Sequence, residues 1–170
     1  TDHTRISIDA SRTIDALPGA VSAMSEPMMS HDCVAFYLLS QEVSKSVTVV
    51  QSGQGADEVF GGYHWYQKLL HSNDPAEDYA RVYFDRDHEE MTRALSPDYV
   101  SGDCSRAFID DFFDDLGDAS PVDKTLQIDT EIMLVDDPVK RVDNMTMAFA
   151  LEARVPFLDH ELVELAARIP

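Results

Sequence analysis

The run Ser46-Val47-Thr48-Val49-Val50, followed at once by Ser52-Gly53-Gln54-Gly55, constrains the fold more than any other stretch. β-Branched side chains are stiff at χ1 and favour an extended, pleated backbone. The glycines then permit a tight turn and the close approach of backbone to a ligand. A helical pattern precedes the run over residues 34–45, with Val34, Tyr37, Leu38 and Gln41 at i, i+3, i+4 and i+7. Helix, strand, glycine turn, helix is the order of an α/β protein, and it predicts a buried strand of a parallel sheet over residues 46–50.

The rest of the chain supplies few strands. Arg5-Ile6-Ser7-Ile8-Asp9 alternates and predicts a short one. Residues 11–24 read as helix around a Pro18-Gly19 interruption, and residues 26–30 as loop, because the residue before a proline avoids the helical region. After residue 62 almost everything reads as helix. Trp65, Leu69 and Leu70 mark one helix, and residues 76–95 one or two more. Phe108, Ile109, Phe112, Phe113 and Leu116 line one face of another. Ser120-Pro121 and Asp137-Pro138 both read as helix starts, a cap followed by proline at the first position. The second of these helices is expected to run to about Leu151, and Asp159 to cap a last one over residues 160–168. The 170 residues are expected to be a single partial α/β domain.

The charge narrows the list of partners. The chain carries 32 acids against 13 bases, for a net −19, with 22 Asp and only four Lys. Such a chain repels phosphate backbones and anionic membranes, so no nucleic acid and no membrane is expected as a partner. Residues 74–137 hold 19 of the acids and 5 bases, while the two flanks are nearly neutral. Asp-rich, Lys-poor surfaces stay solvated at high ionic strength, so the middle acids read as a solvation feature of a salt-adapted protein. Cys33 and Cys104 lie in no CxxC or Cys/His metal spacing and read as two reduced thiols of a cytoplasmic protein. No apolar run approaches the ~18 residues that span a bilayer. The chain starts at Thr1 without a Met and stops at Pro170 after a helical pattern, which is expected of part of a longer protein.

The nearly neutral flanks carry the chemistry. Ser52-Gly53-Gln54-Gly55-Ala56-Asp57-Glu58 follows the predicted strand, the edge at which open α/β sheets bind ligands. Asp57 and Glu58 put two carboxylates just past the turn, which suits Mg²⁺ bound together with substrate phosphates. The same acids also suit a plain strand-to-helix turn, capping the next helix. The second stretch runs from Asp136-Asp137-Pro138-Val139-Lys140-Arg141 to Leu151-Glu152-Ala153-Arg154-Val155-Pro156-Phe157-Leu158-Asp159. Glu152 and Arg154 suit either substrate binding or an ion pair that fixes the loop before Pro156. His64 and His71 share a helical face without a third ligand and read as a solvated or packed pair. Trp65 and Tyr66 read as helix core or pocket wall.

Together the two stretches resemble the synthetase domain of the asparagine synthase family. That domain carries Ser-Gly-Glu-Gly-Ala-Asp-Glu-Leu-Phe-Gly-Gly-Tyr after a strand. Further on it carries Lys-Val-Asp-Arg-Met-Ser-Met-Ala and Leu-Glu-Val-Arg-Val-Pro-Phe-Leu-Asp. The resemblance implies a partial ATP-pyrophosphatase fold (adenine nucleotide alpha hydrolase-like). It also implies an ATP- and Mg²⁺-dependent reaction, in which a small-molecule carboxylate becomes an acyl-adenylate and ammonia from glutamine converts it to an amide. It sets Ser52, Gly53 and Gly55 against the nucleotide, Asp57 on the metal, Glu58 in support of the turn, and Gln54 at the catalytic Glu position. An N-terminal glutaminase domain and a homodimer are the implied partners.

Two departures from the family pattern stand out. Gln54 hydrogen-bonds but carries no charge. The segment with Gln54 and Tyr63-His64-Trp65-Tyr66 resembles the branch that amidates the dipeptide N-acetylglutaminylglutamine. The family's Ser-Gly-Gly-x-Asp-Ser phosphate loop has no match in residues 1–51. The chain is therefore expected to hold about half of an active site and to be inactive alone. The competing expectation, motivated by Gln54, is a non-catalytic nucleotide-binding or assembly module.

Overall fold

The computed structural model describes residues 3–27 and 32–169. In chain order these form helices α1 (Ser11–Ala23) and α2 (Asp32–Val43), strand β1 (Val49–Gln51) and helix α3 (Ala56–Phe60). Helices α4 (Tyr66–Leu69), α5 (Pro75–Tyr83), α6 (His88–Ala94), α7 (Cys104–Asp115) and α8 (Pro121–Ile128) follow. Two π-helical segments, Asp129–Met133 and Val135–Val139, lead into α9 (Lys140–Met147). Strand β2 (Glu152–Arg154), a 3₁₀ turn (Pro156–Leu158) and α10 (His160–Ala166) close the chain. The result is a mostly helical α/β chain with two parallel strands among the described residues. It divides into two compact units: one takes the chain up to Phe60 and again from Thr130, the other is Gly61–Asp129.

In the first unit, α1, α2 and α9 pack around Ala20, Cys33, Val34, Leu38 and Met145. Helix α1 runs unbroken through Pro18, where an interruption was expected. The Pro18-Gly19 pair has a packing reason instead. A Cβ on Gly19 would lie 2.6 Å from the Tyr37 hydroxyl, so glycine lets α2 lie close. Arg12 ties the same two helices by donating to Gln41 and Glu42, 2.9 Å each. Residues 5–9 form no strand. Ile8 packs against the helical core, and this contact accounts for the apolar position in the alternation. The loop expected over residues 26–30 bends at Ser25 and Glu26, and its residues 28–30 lie outside the described residues.

Asp137-Pro138 does not start a helix. Pro138 sits inside the second π-helical segment, where the wider turn relieves the clash of its ring with the preceding carbonyl. Asp137 instead pairs with the buried Arg141 at 3.1 Å, and Arg141 lies 5.7 Å from the ring of Phe36. The helix ends at Met147, short of Leu151. Leu151 N–H donates to the Thr146 carbonyl and Ala150 N–H to the Met147 carbonyl, both 3.1 Å. This is a Schellman ending, with Ala150 at φ 53° in the position that glycine favours. Ala150→Gly is expected to raise stability by ~0.5–1 kcal/mol, the left-handed strain less the entropy of a freer unfolded chain. Urea denaturation reads this directly, and a loss of stability would refute the assignment.

In the second unit α4, α5, α7 and α8 pack together. Each long helix begins on a side-chain cap: Asp74 for α5, Asp103 for α7 and the expected Ser120 for α8. Residues 76–95 divide into two helices because Asp87 opens α6 with a reciprocal capping box to Glu90. Of the expected apolar face on α7, only Ile109 and Phe113 are buried, and Phe108 stays half exposed. Asp111, Asp114 and Asp115 face solvent on the same helix. The fully buried Asp129 accepts from Tyr66 at 2.7 Å, Tyr79 at 2.5 Å and Trp65 at 3.4 Å. Trp65 also stacks on Tyr63 at 4.1 Å. Trp65 and Tyr66 thus serve the interior of this unit. Arg106 links α5 to α7, pairing with Glu77 and with Asp110.

Candidate active site

The two motif-bearing segments meet in the first unit through a parallel ladder. Val49 pairs with Glu152, Val50 with Ala153 and Gln51 with Arg154. The Glu152 N–H donates to the Thr48 carbonyl at 2.9 Å, and the Ser52 N–H to the Arg154 carbonyl at 2.8 Å. Residues about a hundred positions apart are thereby held side by side. β1 is shorter than expected and starts later, at Val49. Nor is it buried: Val49 is 44% exposed, because among the described residues the ladder has only two strands and nothing covers its outer side.

Past the ladder the chain turns sharply. Gly55 takes φ 90°, which suits glycine, and a Cβ there would come within 2.6 Å of Leu158 Cγ. The glycine turn and the Pro156–Leu158 turn therefore interlock. The edge-on pair Phe60–Phe157, with centroids 6.2 Å apart, extends the contact. α3 packs on the same turn and on α10, whose Asp159 cap accepts from Glu161 and Leu162 as expected. Gly53 is different. Its φ is ordinary, and an added Cβ would meet nothing within 4 Å. The open space beside Gly53 is room for a ligand to approach the backbone.

The expected site residues divide by exposure. Ser52 and Gln54 are half-buried at the turn, and Asp57 is exposed on the first turn of α3. Glu58 is only 2% exposed, so its carboxylate belongs to the interior of the turn. Glu152 and Arg154 stand on the same side of β2, both exposed, and among the described residues no ion pair joins them. The ion-pair alternative is thus not seen among the described residues, and Arg154 lies exposed beside Gln51 in the ladder. Among the described residues no group of three His, Cys, Asp or Glu can hold a metal ion by itself. One exposed carboxylate, Asp57, fits the protein's share of a Mg²⁺ ion that is otherwise held by phosphates and water. Leu158, Phe157 and Gln51 escaped the sequence reading of the site. The signal for Leu158 was its place in the Pro156-Phe157-Leu158-Asp159 string.

A family model described as asparagine synthase matches residues 1–170. The chain belongs to the asparagine synthase family. It is 26% identical to "Asparagine synthetase [glutamine-hydrolyzing] 1" of Bacillus subtilis, over 92% of this chain and 30% of that protein. It is 27% identical to "Asparagine synthetase [glutamine-hydrolyzing] 3" of the same organism, over 100% of this chain and 28% of that protein. The chain thus spans about 30% of the length of the curated relatives it matches. No described helix is long and apolar enough to cross a membrane.

Proposed function

We propose that the chain is the C-terminal part of a synthetase domain of ATP-pyrophosphatase fold that forms an amide at a carboxylate. The ladder supports this reading most strongly, because the Ser52 N–H to Arg154 carbonyl bond joins the two motif halves into one surface. ATP and Mg²⁺ are the proposed co-substrate and metal, and glutamine the source of ammonia. A glutaminase domain in the same protein supplies that ammonia. A homodimer and a cytoplasmic location complete the proposal.

The residues divide the work by chemistry. The open backbone at Gly53 and the Ser52 hydroxyl receive the nucleotide. Asp57 would hold Mg²⁺ together with phosphate and water oxygens, and the bound ion would supply positive charge against the pyrophosphate. A carboxylate oxygen of the substrate attacks the α-phosphorus, the bond to the β-phosphate oxygen breaks, and pyrophosphate leaves. Ammonia then attacks the acyl carbon of the adenylate, AMP leaves, and a proton is lost to solvent. Arg154, exposed and without an ion pair among the described residues, orients an anionic group of the substrate. Gln54 holds the intermediate by hydrogen bonds without acting as a base.

The segment with Gln54 and Tyr63-His64-Trp65-Tyr66 resembles the N-acetylglutaminylglutamine branch, and on that resemblance we assign this branch over aspartate. Mass-spectrometric detection of amide product from the full-length protein, with each acceptor in turn, tests the choice. Product from the dipeptide alone is expected. Product from aspartate alone would overturn the branch, and ATP binding with no amide from either would favour the non-catalytic module. The 170 residues alone are expected to make neither product.

A further inference from the structure

Gln51 and Arg154 are the last residues of their strands, and the register sets them side by side. Both strands run the same way, so the two residues share the carboxyl edge at which α/β sheets receive ligands. The same register pairs Val49 with Glu152, two residues back. These four lie on the exposed face of the ladder, while Val50 and Ala153 are half-buried on the other. Parallel strands covered on both faces read as near-continuous apolar runs. A face with a glutamine, a glutamate and an arginine among its four residues is instead built to meet a polar ligand or water. Among the described residues, the side chains of Gln51, Glu152 and Arg154 make no hydrogen bond or ion pair.

We propose that Gln51 and Glu152 select the acceptor that Arg154 orients. The inference rests on amide formation at the joined Ser52–Arg154 surface, and it names the class of substrate. Neighbouring strands lie ~4.8 Å apart, so Gln51 and Arg154 reach adjacent groups of one ligand. Arg154 takes the carboxylate. Gln51 presents an amide N–H and a carbonyl oxygen side by side, the complement of a carboxamide or a peptide unit. Glu152 stands two residues before Arg154, ~6.7 Å along the strand, and repels a second carboxylate there. The acceptor that fits is a peptide acid with amide groups beside a single carboxylate. A second carboxylate in place of a carboxamide faces Glu152 and gives the Gln51 carbonyl no N–H to accept.

The test is equilibrium binding to the full-length protein, read by calorimetry with α,β-methylene-ATP and Mg²⁺ present to block turnover. The ligands are N-acetylglutaminylglutamine and N-acetylglutamylglutamate, in which both carboxamides are replaced by carboxylates. The first is expected to bind roughly tenfold tighter or more. Gln51→Leu should weaken the first about tenfold, the loss of a paired amide, with a smaller loss for the second. Glu152→Gln should tighten the second about tenfold, a gain that misfolding does not mimic. Equal affinity of the wild type for the two ligands would overturn the proposal. So would binding of neither ligand, or either substitution leaving both affinities unchanged. Turnover is not read: binding that follows these rules with no amide ever formed would sink the amidation reading and leave this one standing. Amide formation with binding indifferent to both substitutions would do the reverse.

Discussion

Gly55→Ala is expected to lower stability by about 3 kcal/mol, whereas Gly53→Ala two residues earlier stays within ~0.5 kcal/mol. The two glycines share a turn but not a role. Gly55 sits at φ 90°, where an L side chain is strained by ~1–2 kcal/mol, and its Cβ would run into Leu158. Forcing that contact costs a further ~1–3 kcal/mol. Gly53 has an ordinary φ and open space around it. Leu158→Ala should recover the steric share in the double variant, because it removes the atom in the way, and leave the backbone share. Chemical denaturation of the four proteins decides the matter. Equal effects at the two glycines, or simple additivity of Gly55→Ala with Leu158→Ala, would mean that the two turns do not interlock.

Asp129→Ala carries the second large effect, about 3–4 kcal/mol. Two buried tyrosine hydroxyls lose their acceptor, and each unsatisfied group costs ~1–3 kcal/mol; relief of a buried charge returns part of this. The same cluster has an alkaline signature. Burial, with the Asp129 carboxylate second, pushes the Tyr79 hydroxyl far above its usual range. The folded state therefore keeps a proton that the unfolded state loses. The stability due to Tyr79 is full below pH ~10 and is lost as pH rises beyond it. Tyr79→Phe is weaker than the parent at neutral pH, and the difference shrinks above pH ~10. A difference that grew with pH would contradict the cluster.

The sequence exposed the pieces of the site more readily than their arrangement. Ser52–Asp57 and the segment around Arg154 were each legible as motifs, because glycines, acids and an arginine in a fixed string have chemical meaning locally. β2 was not legible. Glu152-Ala153-Arg154 has no β-branched residue, and its alternation of polarity is too short to mark a strand. It is extended because β1, about a hundred residues earlier, supplies its hydrogen-bond partners. Pro138 misled for a related reason. Aspartate before proline reads as a helix start, yet packing of Arg141 against Asp137 and Phe36 keeps the helix running and takes up the proline as a π-helical turn. Caps at Ser120 and Asp159 were legible, since a cap depends on three or four neighbouring residues. Gly19 fell between these cases: with Pro18 it read as a break, yet the helix runs through it, and only Tyr37 on another helix explains the glycine.

The central claim is that the Ser52–Asp57 turn and the Arg154 strand form one adenylating surface. It is tested most directly by ATP–pyrophosphate exchange in the full-length protein, wild type against Asp57→Asn and Arg154→Ala. Exchange that requires the carboxylate acceptor is predicted. Asp57→Asn should lower it at least a hundredfold at every acceptor concentration, while Arg154→Ala raises the concentration of acceptor needed. Exchange that is unchanged in both variants, in proteins that remain folded, would contradict the account.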